Sequence, residues 1–135
     1  EGSLVKHFED KFKSIWNLSY SGSTIKSFEV LSKAKAIILI SHREGLPMVL
    51  LEALSVNTPL IISKNLNDAC ELLGQKIQDR NHIVIHENGI LLKTTSQKSF
   101  EDAVKEIERG GIKVQNPQIL DQFRPEHFLK KLLLK

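Results

Sequence analysis

Apolar positions recur at helical spacing from Ser3 to Ile15, at Leu4, Phe8, Phe12 and Ile15, and predict a first helix. Trp16 to Tyr20 alternates as a short strand, and Ser21-Gly22-Ser23 turns it. Ser23 or Thr24 is placed to cap a second helix with Ile25, Phe28 and Leu31 on its inner face. Ala36-Ile37-Ile38-Leu39-Ile40 is apolar without alternation, the pattern of a parallel strand covered on both faces. A helix follows from Pro47 to about Val56, and Asn57 suits the left-handed position that ends it. Pro59-Leu60-Ile61-Ile62-Ser63 is the next apolar strand.

Asn65 or Asn67 opens a further helix through Ala69, Leu72 and Leu73. Ile83 to Ile85 predicts a strand, Glu87-Asn88-Gly89 a turn, and Ile90-Leu91-Leu92 either continues the sheet or pairs back. Phe100, Ala103, Val104 and Ile107 mark another helix, stopped by Gly110-Gly111. Pro125 to Lys135 reads as a basic amphipathic helix. Strands alternating with helices of about ten residues imply βαβ units. The expected fold is α/β, a Rossmann-like doubly wound parallel sheet with helices on both faces, formed by residues 1–135 as a single domain. Ligands on such sheets bind beyond the carboxyl ends of the strands, and residues 42–46 fall at such an end.

Composition narrows the function classes. The 135 residues are 41% hydrophobic and 26% charged, ordinary for a globular domain with its own core. Nineteen basic against sixteen acidic residues leave a net charge of +3, with aromatics at 6% and no dense basic stripe, so nucleic acid is not an expected partner. No apolar run approaches the ~18 residues of a membrane span. Cys70 is the only cysteine, so no intrachain disulfide forms. The chain opens on Glu1 directly into an amphipathic pattern, which reads as a piece of a longer protein.

The chemistry concentrates in SHREGLPMVLLEAL, Ser41 to Leu54. Pro47 suits the first helical position. The N–H groups of Met48 and Val49 then lack helical acceptors and face a region of positive dipole potential, suited to phosphate or sugar oxygens. Gly45 allows close approach of a ligand to the backbone. Glu44 in the loop can accept from vicinal hydroxyls. Glu52, about a turn and a half into the helix and set off from Leu50, Leu51 and Leu54, can do the same for a ribose. The plainer reading is that Glu44 favours the helix dipole and Glu52 is solvated.

Glu44-Gly45-Leu46-Pro47-Met48-Val49-Leu50-Leu51-Glu52 resembles the Glu-x7-Glu motif of the family-4 (group 1) glycosyltransferases. Ala34 to Ser41 is similar to the strand leading into that motif, and Asn57-Thr58-Pro59-Leu60-Ile61-Ile62-Ser63 to the turn and strand that follow. Asn88-Gly89-Ile90-Leu91-Leu92 resembles the later Asn-Gly-x-Leu segment, and Glu1-Gly2-Ser3-Leu4 the end of an earlier Gly-rich strand exit. The resemblance implies the C-terminal half of a GT-B fold and a retaining transfer from a nucleotide-diphosphate sugar, with a UDP-sugar the expected donor. It implies a catalytic contact of Glu44 with the donor sugar, backbone contacts of Gly45, Leu46, Pro47, Met48 and Val49 with sugar and diphosphate, and a hold on the ribose by Glu52. His42 and Arg43 neighbour the cleft. The family's basic pair on the diphosphate, and the N-terminal domain holding most of the acceptor site, would stand upstream of Glu1. The isolated chain is therefore expected to bind donor weakly and not to turn over. No metal and no cofactor beyond the donor are implied. The expected acceptor is a glycan or a lipid-linked sugar in polysaccharide biosynthesis. The expected location is the cytoplasm, with peripheral contact to the inner membrane face.

The remaining candidates are weaker. His82 and His86 stand four apart on a strand and turn, where that spacing does not converge on a metal. His7, His42 and His127 find no partner at ligand spacing. Cys70 reads as a small core residue. Lys130-Lys131 with Leu132 to Leu134 could touch anionic lipid, or pack with the lysines in water. The competing function is a non-catalytic, flavodoxin-like interaction or regulatory module, which would need neither Glu44 nor Glu52. A phosphorylated receiver is disfavoured, because Ser41 and His42, not Asp, end the Ile37–Ile40 strand.

Overall fold

The computed structural model describes residues 26–41, 47–114 and 118–123. In chain order these form α1 (Ser27–Lys33), β1 (Ile37–Leu39), α2 (Met48–Ser55), β2 (Leu60–Ser63) and a 3-10 helix (Asn67–Leu73). There follow β3 (Lys76–Asp79), β4 (Ile83–His86), β5 (Gly89–Leu92), α3 (Gln97–Glu108) and a second 3-10 helix (Gln118–Phe123). The expected helices over 3–15 and 125–135, the strand over 16–20, and the cap and inner-face positions Ser23, Thr24 and Ile25 lie outside the described residues.

The strands form one sheet in the order β1-β2-β5-β4-β3. β1 runs parallel to β2 with Ile37 opposite Leu60, and β2 parallel to β5 with Leu60 opposite Gly89. β5 and β4 pair antiparallel, as do β4 and β3. The fold is thus α/β and Rossmann-like, with a parallel half and an antiparallel half. The second half follows from Glu87-Asn88, which join β4 to β5 in two residues. Only an antiparallel pair closes so short a link.

β2 shows that both faces of the sheet are covered. Its side chains alternate between faces, yet Leu60, Ile61, Ile62 and Ser63 are all buried. Each of the three aliphatic side chains contributes roughly 1.5–3 kcal/mol through burial. They pack with Leu50, Leu54, Leu66, Leu72, Ile90 and Leu92 in one core.

Asn57 takes φ 59° and ends α2, as its residue type predicts. Thr58 Oγ1 then donates to the Leu31 carbonyl at 2.7 Å, tying the α2–β2 turn to α1. Asn88 binds the hairpin to the first 3-10 helix: its Nδ2 donates to Leu72 O at 3.0 Å and its N–H to Leu73 O at 2.9 Å. Ser96 Oγ caps α3 by accepting from the Ser99 N–H. Gly110, at φ 68°, follows α3 where the glycine pair predicts its stop.

Several expectations are corrected. Phe28 is 52% exposed and only Leu31 of α1 is buried, because the helix spans seven residues and turns one position into the core. Ile38 and Ile40 are about half exposed, since β1 is the end strand of the described sheet. Val104 likewise points outward while Ala103 is buried. The segment after β2 is a 3-10 helix whose N-cap is Leu66 without a side-chain cap, so neither Asn65 nor Asn67 opens an α-helix. Pro47 is the N-cap of α2 with extended ψ of 115°, and Met48, not Pro47, is the first helical residue. β3 has no apolar pattern: all four of its residues are exposed at the sheet edge. Among the described residues no helix is long and apolar enough to cross a membrane.

Candidate functional site

α2 begins beyond the carboxyl end of β1, next to the carboxyl end of β2. Its position is fixed by Leu50, Leu51, Ala53 and Leu54, all buried against the sheet. Pro47 is buried as well, and its carbonyl accepts from the Leu50 N–H at 3.0 Å. That bond satisfies the third N–H of the helix. Intrahelical acceptors for Met48 and Val49 would have to come from residues 44 and 45, ahead of the helix. The first turn carries no acidic side chain and Pro47 supplies no side-chain cap, so the positive end of the dipole is not offset within α2.

Met48, Glu52 and Ser55 stand at i, i+4 and i+7, on the face away from the buried leucines. Met48 is 64% exposed and Glu52 half-buried. Four residues span about 6 Å along the axis, and helical side chains lean toward the N-terminus. The Cα–Cβ bond of Glu52 therefore tilts toward the Met48 and Val49 end. Among the described residues, no hydrogen bond or ion pair engages its carboxylate. The backbone behind it is tied, with Ser55 Oγ donating to Glu52 O at 2.7 Å.

Ser63 ends β2 on the same rim of the sheet. It is 1% exposed, and its Oγ is a buried polar atom without a hydrogen-bond partner among the described residues. A buried hydroxyl in that state is costly. Nothing in the sequence distinguished it from the strand around it.

Of the expected site residues, Pro47, Met48, Val49 and Glu52 come together here. His42, Arg43, Glu44, Gly45 and Leu46 lie outside the described residues. His82 precedes β4 and His86 ends it, with His86 Nδ1 3.0 Å from Gly74 O. Among the described residues no group of three His, Cys, Asp or Glu could hold a metal ion. Cys70 is half-buried with Sγ donating to Leu66 O at 3.4 Å, and burial pushes its thiol pKa up. That is the opposite of an activated nucleophile.

The sequence matches one family model, glycosyl transferases group 1, over residues 23–119, well over half of the chain. No curated protein and no solved structure gives a match.

Proposed function

The chain belongs to the group 1 glycosyl transferases, and on that footing we propose that it is the donor-binding part of a retaining transferase acting on a nucleotide-diphosphate sugar. Glycosyl transfer is the family's general activity. The donor, a UDP-sugar, and the residue roles are our reading. The observation that carries it is the half-buried Glu52, its carboxylate unengaged among the described residues, one turn from a helix start without a side-chain cap.

In this reading the Met48 and Val49 N–H groups face the diphosphate and Glu52 accepts from the ribose hydroxyls. Glu44 contacts the sugar, Gly45 and Leu46 meet the sugar and diphosphate, and His42 and Arg43 are their neighbours in sequence. The domain's part in catalysis is to position the donor and stabilise charge on the departing diphosphate. The sugar is transferred on the face from which the diphosphate leaves. The acceptor, a glycan or lipid-linked sugar, is met through a second domain, at the inner face of the cytoplasmic membrane. By itself the chain would bind donor weakly and not turn over.

The test is a titration with UDP, GDP and ADP followed by backbone amide NMR, on the chain and on Glu52→Ala and Glu44→Ala. One nucleotide should shift Met48 and Val49, and Glu52→Ala should weaken it by roughly 1–3 kcal/mol, the worth of a charged hydrogen bond. Binding that both variants leave unchanged would overturn the assignment.

A further inference from the structure

A second concave region lies on the opposite side of the molecule from β1. A cavity of about 570 Å³ opens between the β3–β4 turn and α3. The turn contributes Arg80, Asn81 and His82, and α3 contributes Lys98, Asp102, Lys105 and Arg109. The helix residues follow at steps of four, three and four, so they form one stripe along one face. The sheet order puts four strand spacings between β1 and β3, on the order of 20 Å. This cavity is therefore separate from the donor cleft, and the inference does not rest on the donor reading.

The charges are unbalanced. Arg80, Lys98, Lys105 and Arg109 line the cavity against Asp102 alone. Arg80 Nη1 donates to Glu106 at 2.7 Å, and its Nε and Nη2 both donate to Gln78, so its guanidinium is fixed. Lys98 is 3.4 Å from Asp102 and 3.8 Å from Glu101. Lys105 and Arg109 have no acidic partner among the described residues. They stand four apart on the helix, where like charges repel. The negative end of the α3 dipole favours cations there, but it does not account for the facing wall of Arg80, Asn81 and His82. A concave surface with a net positive lining concentrates its field and attracts counter-ions.

We propose that this cavity binds a phosphate-bearing anion, with Lys105 and Arg109 supplying the charge and the fixed Arg80 and its neighbours Asn81 and His82 closing the opposite side. Phosphate suits the set because guanidinium and ammonium groups donate to its oxygens in charge-assisted bonds. The same chemistry is offered by a free phosphate compound and by an anionic lipid headgroup.

Two probes separate these sources: inorganic pyrophosphate in solution, and vesicles of phosphatidylglycerol compared with phosphatidylcholine. Both are applied to the full chain and to the double variant Lys105→Gln/Arg109→Gln, whose side chains are exposed. An unchanged thermal midpoint shows that the variant is folded. Saturable pyrophosphate shifts at the Asn81, His82, Lys105 and Arg109 amides, weakened at least roughly tenfold in the variant as for a lost charged contact, support a soluble phosphate ligand. Sedimentation with phosphatidylglycerol but not phosphatidylcholine vesicles, lost in the variant, supports a headgroup. Shifts confined to Met48 and Val49 would mean that pyrophosphate reads only the donor cleft, and would overturn the proposal. So would binding that the variant retains, or no binding of either probe.

Discussion

At Gly89 a methyl group would land 2.1 Å from the Leu60 carbonyl oxygen and 2.8 Å from the carbon that bears it. Both are backbone atoms of the neighbouring strand, so no side-chain rotation relieves the clash. Gly89→Ala must push β5 away from β2 and should destabilise the chain by about 3 kcal/mol, read as a lowered urea midpoint. Gly110→Ala meets open space and pays only for its positive φ, so its loss should be nearer 1 kcal/mol. The glycine of the Asn88-Gly89 pair is thus explained by strand packing.

Between elements, Asn88 does what a longer loop would otherwise have to do, joining the β4–β5 turn to the first 3-10 helix. Asn88→Ala leaves the Leu72 carbonyl without that donor. Hydrogen exchange should then accelerate at Ala69 to Leu73 by about 1–2 kcal/mol of local opening energy, with β2 amides much less affected. Equal acceleration throughout would show that the turn supports the whole fold rather than this junction. At this scale β2 and β5 were legible from dense apolar runs, and α3 from apolar residues at helical spacing. β3 was not: Lys76, Gln78 and Asp79 carry none, and pairing with β4 alone makes them a strand. The 3-10 geometry was hidden too, since Ala69, Leu72 and Leu73 suit either helix type. In the candidate site, the helix and the place of Glu52 apart from its buried leucines were readable from the apolar pattern. The buried Ser63 hydroxyl was not, because its significance depends on which neighbours the fold brings.

For the whole molecule, two groups among the described residues make stability depend on pH, with opposite signs. Lys93 hydrogen-bonds Asp79, assisted by Lys76, and holds its carboxyl below the ordinary range. A lowered folded pKa gives stability that is present above the unfolded value, about 3.9, and is lost as pH falls through the folded one. Burial raises the Cys70 thiol, so its contribution is present below the unfolded value, about 8.5, and is lost as pH rises through the folded one. Denaturation midpoints should therefore fall at both extremes. Asp79→Asn should remove part of the acid slope and Cys70→Ala part of the alkaline slope; unchanged slopes would refute the assignment. The edge that carries Asp79 has another consequence. β3 ends the described sheet with its residues exposed, a register irregularity between Lys76 and Gln78, and charged groups at both ends. A strand from another copy that tried to continue the ladder would meet a bent backbone and would have to desolvate Lys76 and Asp79. Among the described residues the ladder stops at β3, and that irregular, charged edge is guarded against templated aggregation.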